Sequence, residues 1–143
     1  MIWLIAEDET DILSLLAMVF EVWGHKPLPF PSGQKVWDWL DKLESGTYVG
    51  DIPDFALMDI RMPGKKGNEV AHRMRTIPAL KNIPLVLMTA FSLSEAEKAE
   101  FQTRDGVDAV ISKPLPAFDV LQSTLNRIIQ NKSLDQSGVN QSR

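Results

Sequence analysis

Five short apolar runs, separated by stretches of helical periodicity, constrain this chain more than any other feature. The runs are residues 2–6, 26–30, 55–58, 83–88 and 109–111. Four of them are followed at once by polar residues with chemical potential: Glu7-Asp8-Glu9, Asp59, Thr89 and Ser112-Lys113. Runs that are apolar throughout, rather than at alternate positions, are strands covered on both faces. The run at 26–30 is the exception: Pro27 and Pro29 each remove a ladder donor, which puts it on an edge.

The intervening segments read as helices. Thr10 or Asp11 can cap the first, whose apolar residues Ile12, Leu15, Leu16, Val19 and Phe20 recur at helical spacing before Gly24 stops it. A second covers about 33–43, and Gly67 opens a third through Val70 and Met74, with Pro78 interrupting. Ser94 and Glu97 form a capping box for the fourth, closed by Gly106. The last presents Phe118, Leu121, Leu125, Ile128 and Ile129. From about Asn131 the chain is polar and patternless, so residues 131–143 are expected to be a disordered tail or linker stub behind a domain of residues 1–130. The tail also reads as the start of a linker in a longer protein.

Strands alternating with helices imply a parallel α/β sheet covered on both faces. Right-handed crossovers put the C-terminal ends of all strands on one edge, where ligands of such folds bind. Glu7, Asp8, Asp59, Thr89 and Lys113 would then converge. Carboxylates do not cluster freely: two unit charges 4 Å apart repel by about 4 kcal/mol at an effective dielectric of ~20. A hard divalent cation offsets this, and Mg²⁺ takes one or two carboxylates while keeping several waters. Lys113 adds a fixed positive charge. A carboxylate can also attack phosphorus, with cations and the Thr89 hydroxyl stabilising the transferring oxygens. Each residue alone has a plain reading, as a loop acid, a strand-end turn residue or a solvated lysine. The joint placement at four strand ends is what argues for a site.

Composition excludes other classes. With no cysteine among 143 residues, disulfides, thiol catalysis and zinc thiolates are out. His25 and His72 have no metal-ligand spacing. A formal net charge of −4 argues against binding nucleic acid through the overall field. No apolar run approaches the roughly 18 residues of a membrane span, and the N-terminus lacks the basic region of a signal peptide. A cytoplasmic protein without direct nucleic-acid or membrane binding is expected.

The set Glu7-Asp8-Glu9, Met58-Asp59-Ile60-Arg61-Met62-Pro63-Gly64, Met88-Thr89-Ala90 and Ser112-Lys113-Pro114 resembles, in order and spacing, the receiver domains of two-component response regulators. The resemblance covers roughly residues 1–130. It implies a doubly wound, flavodoxin-like (βα)5 fold with strand order 2-1-3-4-5. It implies that Asp59 accepts phosphate from the phosphohistidine of a sensor histidine kinase or a histidine phosphotransfer protein. Asp8, Asp59 and the Arg61 backbone carbonyl would coordinate Mg²⁺, with Glu7 acting directly or through water. Thr89 and Lys113 would bind the phosphoryl oxygens, and the bond before Pro114 would be cis. Such a protein is a signalling domain that catalyses its own phosphorylation and dephosphorylation, not an enzyme proper, and many relatives dimerise through helices four and five.

Three departures bear on this. The first acid is Glu7 where the family more often has Asp. Val110 occupies the switch position that usually carries Phe or Tyr. Lys65-Lys66 replace a common Met-Asp and, with Arg61, make a basic rim. That rim either attracts a phosphodonor or acidic partner, or simply offsets the local negative charge. Two other readings stay open: a phosphate-independent pseudo-receiver interaction module, and a haloacid-dehalogenase-type phosphatase. The phosphatase needs a second acid two residues after the nucleophile, where this chain has Arg61. Trp3 and Trp23 read as structural. Trp37 and Trp39 cannot share a helix face, so one is expected to be partly exposed. His72 is expected to face solvent.

Overall fold

Strands buried on both faces need helices on both sides, and the order of elements supplies them. The computed structural model describes the backbone of residues 1–141 and the side chains of residues 1–136. It runs β1 (Ile2–Ala6), α1 (Thr10–Val22), β2 (Lys26–Phe30), α2 (Gly33–Ser45), β3 (Phe55–Asp59), α3 (Gly67–Met74), β4 (Leu85–Thr89), α4 (Glu95–Asp105), β5 (Ala109–Ser112) and α5 (Phe118–Gln141). All neighbouring strands are parallel, in the order β2-β1-β3-β4-β5. This is the doubly wound flavodoxin-like α/β fold expected from the sequence, with the proline-bearing β2 at an edge.

The strand period of two sorts the core into two layers. Trp3, Ile5, Phe55, Leu57, Val86 and Met88 point to one face, against Leu16 and Phe20 of α1 and Leu121 and Leu125 of α5. Leu4, Ala6, Ala56, Met58, Leu85 and Leu87 point to the other, against α2 and α3. Leu57 is fully buried, so its truncation to alanine would cost about 2–5 kcal/mol.

Several local expectations change. The N-cap of α1 is Glu9, whose side chain makes no capping bond, rather than Thr10 or Asp11. The Glu9 amide is instead taken by the Glu7 carboxylate at 3.2 Å, so helix initiation is tied to the strand-end acid. β4 begins at Leu85 because Pro84 cannot donate to the ladder. The segment expected to be a patternless tail is helical through Gln141, and residues 142 and 143 lie outside the described residues. No proline interrupts it, and polar ties replace the missing apolar stripe: Lys132 Nζ lies 3.0 Å from Asp108, and Gln136 donates to the Asn82 carbonyl at 3.1 Å. Trp39 is buried, whereas Trp37 is half-buried beneath Lys65 and Arg73. No helix among the described residues is long and apolar enough to cross a membrane.

Candidate functional site

The strand register brings the polar ends together. Ala6 pairs with Met58, Asp59 with Met88 and Thr89 with Ser112, so the residues that follow β1 and β5 line up beside Asp59 and Thr89. Backbone bonds fix these ends: Glu7 N donates to Phe30 O at 3.1 Å, Ile60 N to Met88 O at 2.9 Å, and Lys113 N to Thr89 O at 2.8 Å. The side chains are therefore carried on the sheet itself rather than on free loops, which is what holds a site to sub-ångström tolerance.

Glu7, Asp8 and Asp59 each place one carboxylate oxygen within 4.8 Å of the others. Glu7 has no exposed surface, Asp59 is 6% exposed, and Asp8 faces solvent. The Lys113 ammonium donates to Glu7 Oε1 at 2.6 Å and to Asp59 Oδ2 at 3.0 Å. Burial pushes the Glu7 carboxyl above the usual carboxylate range, and the hydrogen bond from Lys113 offsets only part of this. For Lys113, burial opposes the charge, but the bonds to Glu7 and Asp59 outweigh it and hold the ammonium above the ordinary lysine value.

Asp59 Oδ1 accepts from the Arg61 amide at 3.3 Å, so the start of the β3–α3 loop closes back onto the acid. The Arg61 guanidinium stacks on the Phe91 ring, 3.9 Å from its centroid. The buried Thr89 hydroxyl accepts from Phe91 N at 3.0 Å. The Lys113–Pro114 peptide is cis. Val110 is only partly buried and packs on the α2–α3 side of the core. The His72 side chain is largely exposed, with Nδ1 3.0 Å from the Arg104 carbonyl.

Chemically, the donor set suits a small hard cation. Mg²⁺ binds through one or two carboxylates, and three approach one another here. All are oxygen donors, and the exposed Asp8 leaves a side open for water ligands. Both Glu7 oxygens are already engaged, by Lys113 and by the Glu9 amide. The sequence named every one of these residues but not this ion pair. The longer arm of Glu at position 7 is the signal that could have suggested it.

The chain belongs to the response regulator receiver domain family, whose model matches residues 3–126. Receiver domains generally partner with histidine kinases and are signalling domains, typically not classed as enzymes. A similar protein is the polar-differentiation response regulator DivK of Brucella ovis, 30% identical over 112 residues, which are 78% of this chain and 83% of that one. The cyclic di-GMP phosphodiesterase response regulator RpfG of Xanthomonas campestris is 30% identical over 105 residues. The match takes in 72% of this chain and only 27% of RpfG. In fold, the chain matches a CheY-like receiver domain protein from Methanospirillum hungatei with a TM-score of 0.71 at 22% identity, covering 94% and 97% of the two chains.

Proposed function

We propose that the protein is a phospho-accepting receiver in a two-component phosphorelay, with Asp59 as the acceptor. The observation that carries this is the Lys113 ammonium held 3.0 Å from Asp59 Oδ2 within an acidic cluster whose Glu7 and Asp59 are buried. An Asp59 oxygen attacks the phosphorus of a phosphohistidine, forming the acyl phosphate P–O bond as the P–N bond breaks and its electron pair returns to the imidazole. Lys113 and the Thr89 hydroxyl bind the phosphoryl oxygens as their charge grows. A bound Mg²⁺, held by Asp8, Asp59 and the Arg61 carbonyl, with Glu7 directly or through water, would neutralise charge on the same oxygens.

The donor in this reading is a sensor histidine kinase or a histidine phosphotransfer protein, and the protein is cytoplasmic. The receiver unit is residues 1–130, with the remainder of α5 beyond it. Dimerisation through α4 and α5 and a switch at Val110 belong to the same reading.

One observation favours the phosphate-independent module instead. Glu7 is committed to Lys113 and to the chain, which is how a pocket would look if ion pairing were its whole purpose. Intact mass after incubation with acetyl phosphate, with and without Mg²⁺, separates the two. A metal-dependent phosphoryl adduct in the wild type that is absent from Asp59→Asn supports the receiver. A folded protein with no adduct leaves the module. Turnover of small phosphomonoesters would point to the phosphatase reading, against which Arg61 stands.

A further inference from the structure

The loop that follows Asp59 rests on a second element, and the contact is closer than any side chain allows. Ser32 caps α2, its hydroxyl accepting from Lys35 N at 3.1 Å, and Gly33 begins the helix. A Cβ built on Gly33 would lie 1.7 Å from the Lys65 carbonyl oxygen and 2.7 Å from its carbon. The obstacle is backbone, so no rotamer change relieves it. Two neighbours make the same seam. Gln34 N donates to Pro63 O at 3.4 Å, and a Cβ on Gly64 would lie 2.6 Å from that of Gln34. Lys65 Nζ lies over the Trp37 ring, 4.4 Å from its centroid, one turn along α2. At its other end the loop is pinned by Gly67, whose added Cβ would sit 2.2 Å from the Asp59 carbonyl oxygen. Gly67 N also donates to Ile60 O at 2.9 Å.

The loop is thus clamped between the Asp59 backbone and the first turn of α2. We propose that Gly33, which lies outside the pocket, is a positioning residue for it: the α2 ledge sets where the 60–67 loop, and with it the Arg61 backbone, stands relative to Asp59. This rests on the metal-and-phosphoryl reading of the pocket. Real Cβ contacts essentially never fall under 3.0 Å, so alanine at position 33 forces the loop and the first turn of α2 apart by more than 1 Å. Displacements of about 1 Å at a reacting centre cost on the order of 10²-fold in rate.

The test compares wild type, Gly33→Ala and Gly46→Ala. Gly46 sits at the far end of α2 with φ +76 and nothing within 4 Å of its added Cβ, so it reports the cost of straining the helix alone. Two quantities are read: the dissociation constant for Mg²⁺ from melting shifts, and metal-free Trp37 emission, taken against a Trp37→Phe background. Gly33→Ala is expected to weaken Mg²⁺ binding tenfold or more and to change Trp37 emission as Lys65 leaves the ring, while Gly46→Ala loses stability with both readouts unchanged. Mg²⁺ affinity equal to wild type in Gly33→Ala overturns the proposal, whatever its melting temperature. If Gly33→Ala does not fold, Lys65→Gly loosens the loop on the same ledge without adding an atom. Weakened Mg²⁺ binding there supports the proposal, and unchanged binding overturns it. Wild type that ignores Mg²⁺ altogether defeats the metal reading itself, and this inference with it.

Discussion

Removing the Lys113 ammonium exposes what the pocket costs the fold. Its nitrogen lies 2.6 Å from Glu7 Oε1 and 3.0 Å from Asp59 Oδ2, and its side chain is 11% exposed. In Lys113→Ala the two buried carboxylates face each other with their shared cation gone. Breaking a buried pair by removing one partner costs about 3–5 kcal/mol. The low end applies here because Asp8 opens the pocket to solvent. For a chain of this size, about 3 kcal/mol corresponds to a melting temperature lower by on the order of 10 °C.

The sign with pH follows from Glu7. Its folded carboxyl is already raised, by burial first and by the Asp59 charge as well. Without Lys113 the hydrogen bond that opposes this is lost, so the native state binds a proton at Glu7 more readily than the unfolded chain, whose carboxyl has the ordinary value of 4.5. That contribution is present below the unfolded value and is lost as pH rises through the folded one. The deficit of Lys113→Ala is therefore expected to be large at pH 7.5 and smaller at pH 5.5. Mg²⁺, which replaces the lost charge, is expected to raise the variant's melting temperature more than that of wild type. Urea and thermal melts of both proteins at the two pH values, with and without Mg²⁺, provide the check. An equal deficit at both pH values, or a variant as stable as wild type at pH 7.5, refutes the argument.

Three further outcomes are expected. Mg²⁺ at a hundredfold excess over its dissociation constant stabilises a native-state site by about 2.7 kcal/mol; Asp8→Asn is expected to abolish most of the resulting melting shift, and an unchanged shift removes Asp8 from the ligand set. The His25 ring stacks on Trp3 with centroids 3.8 Å apart, and burial, then the N-terminal charge, hold its pKa below the ordinary value. The unfolded chain therefore takes up the proton first as pH falls below about 6.5, and stability present above that value is lost. Chemical denaturation should show wild type losing more than His25→Phe between pH 7.5 and 5.5, and equal losses count against the stack. Arg75 donates to the carbonyls of Gly106 at 2.8 Å and Ile83 at 2.7 Å and to Asp108 at 3.0 Å. A lysine cannot reproduce that fork, so Arg75→Lys should lose about 2–3 kcal/mol in urea melts without changing acetyl phosphate labelling. Loss of labelling at full stability would mean that Arg75 serves the pocket.

Pattern decided most of the fold in advance. Continuously apolar runs and helical spacing placed five strands and five helices, and Pro27 and Pro29 put β2 on its edge. The site residues were readable because a parallel sheet sends all strand ends one way, so position along the chain became position in space. What escaped had no periodic signature. The Lys113–Glu7 pair joins residues 106 positions apart in sequence. The continuation of α5 beyond residue 130 is held by Lys132 and Gln136, polar side chains that look like any solvated face until Asp108 and Asn82 are seen beneath them. The seam between α2 and the 60–67 loop depends on a hydrogen atom where Gly33 could have carried a methyl group, and a lone glycine at a helix start does not announce its neighbour.

These features bear on one another at the pocket. A buried acid, a second acid and a lysine form a local conflict that a purely structural sequence would resolve with apolar residues, since well-packed hydrophobic replacements of buried ion pairs are often neutral or stabilising. Here the conflict is kept and its elements are secured from behind: Glu7 by the β2 backbone, Asp59 and Thr89 by the sheet, and the 60–67 loop by α2. The Thr89 hydroxyl accepts from the Phe91 amide, and the Phe91 ring carries the Arg61 guanidinium. Under the proposed phosphorylation of Asp59, a movement of that hydroxyl toward the new anion would release the Phe91 amide, which bears on the Arg61–Phe91 stack at the mouth between the β3–α3 and β4–α4 loops.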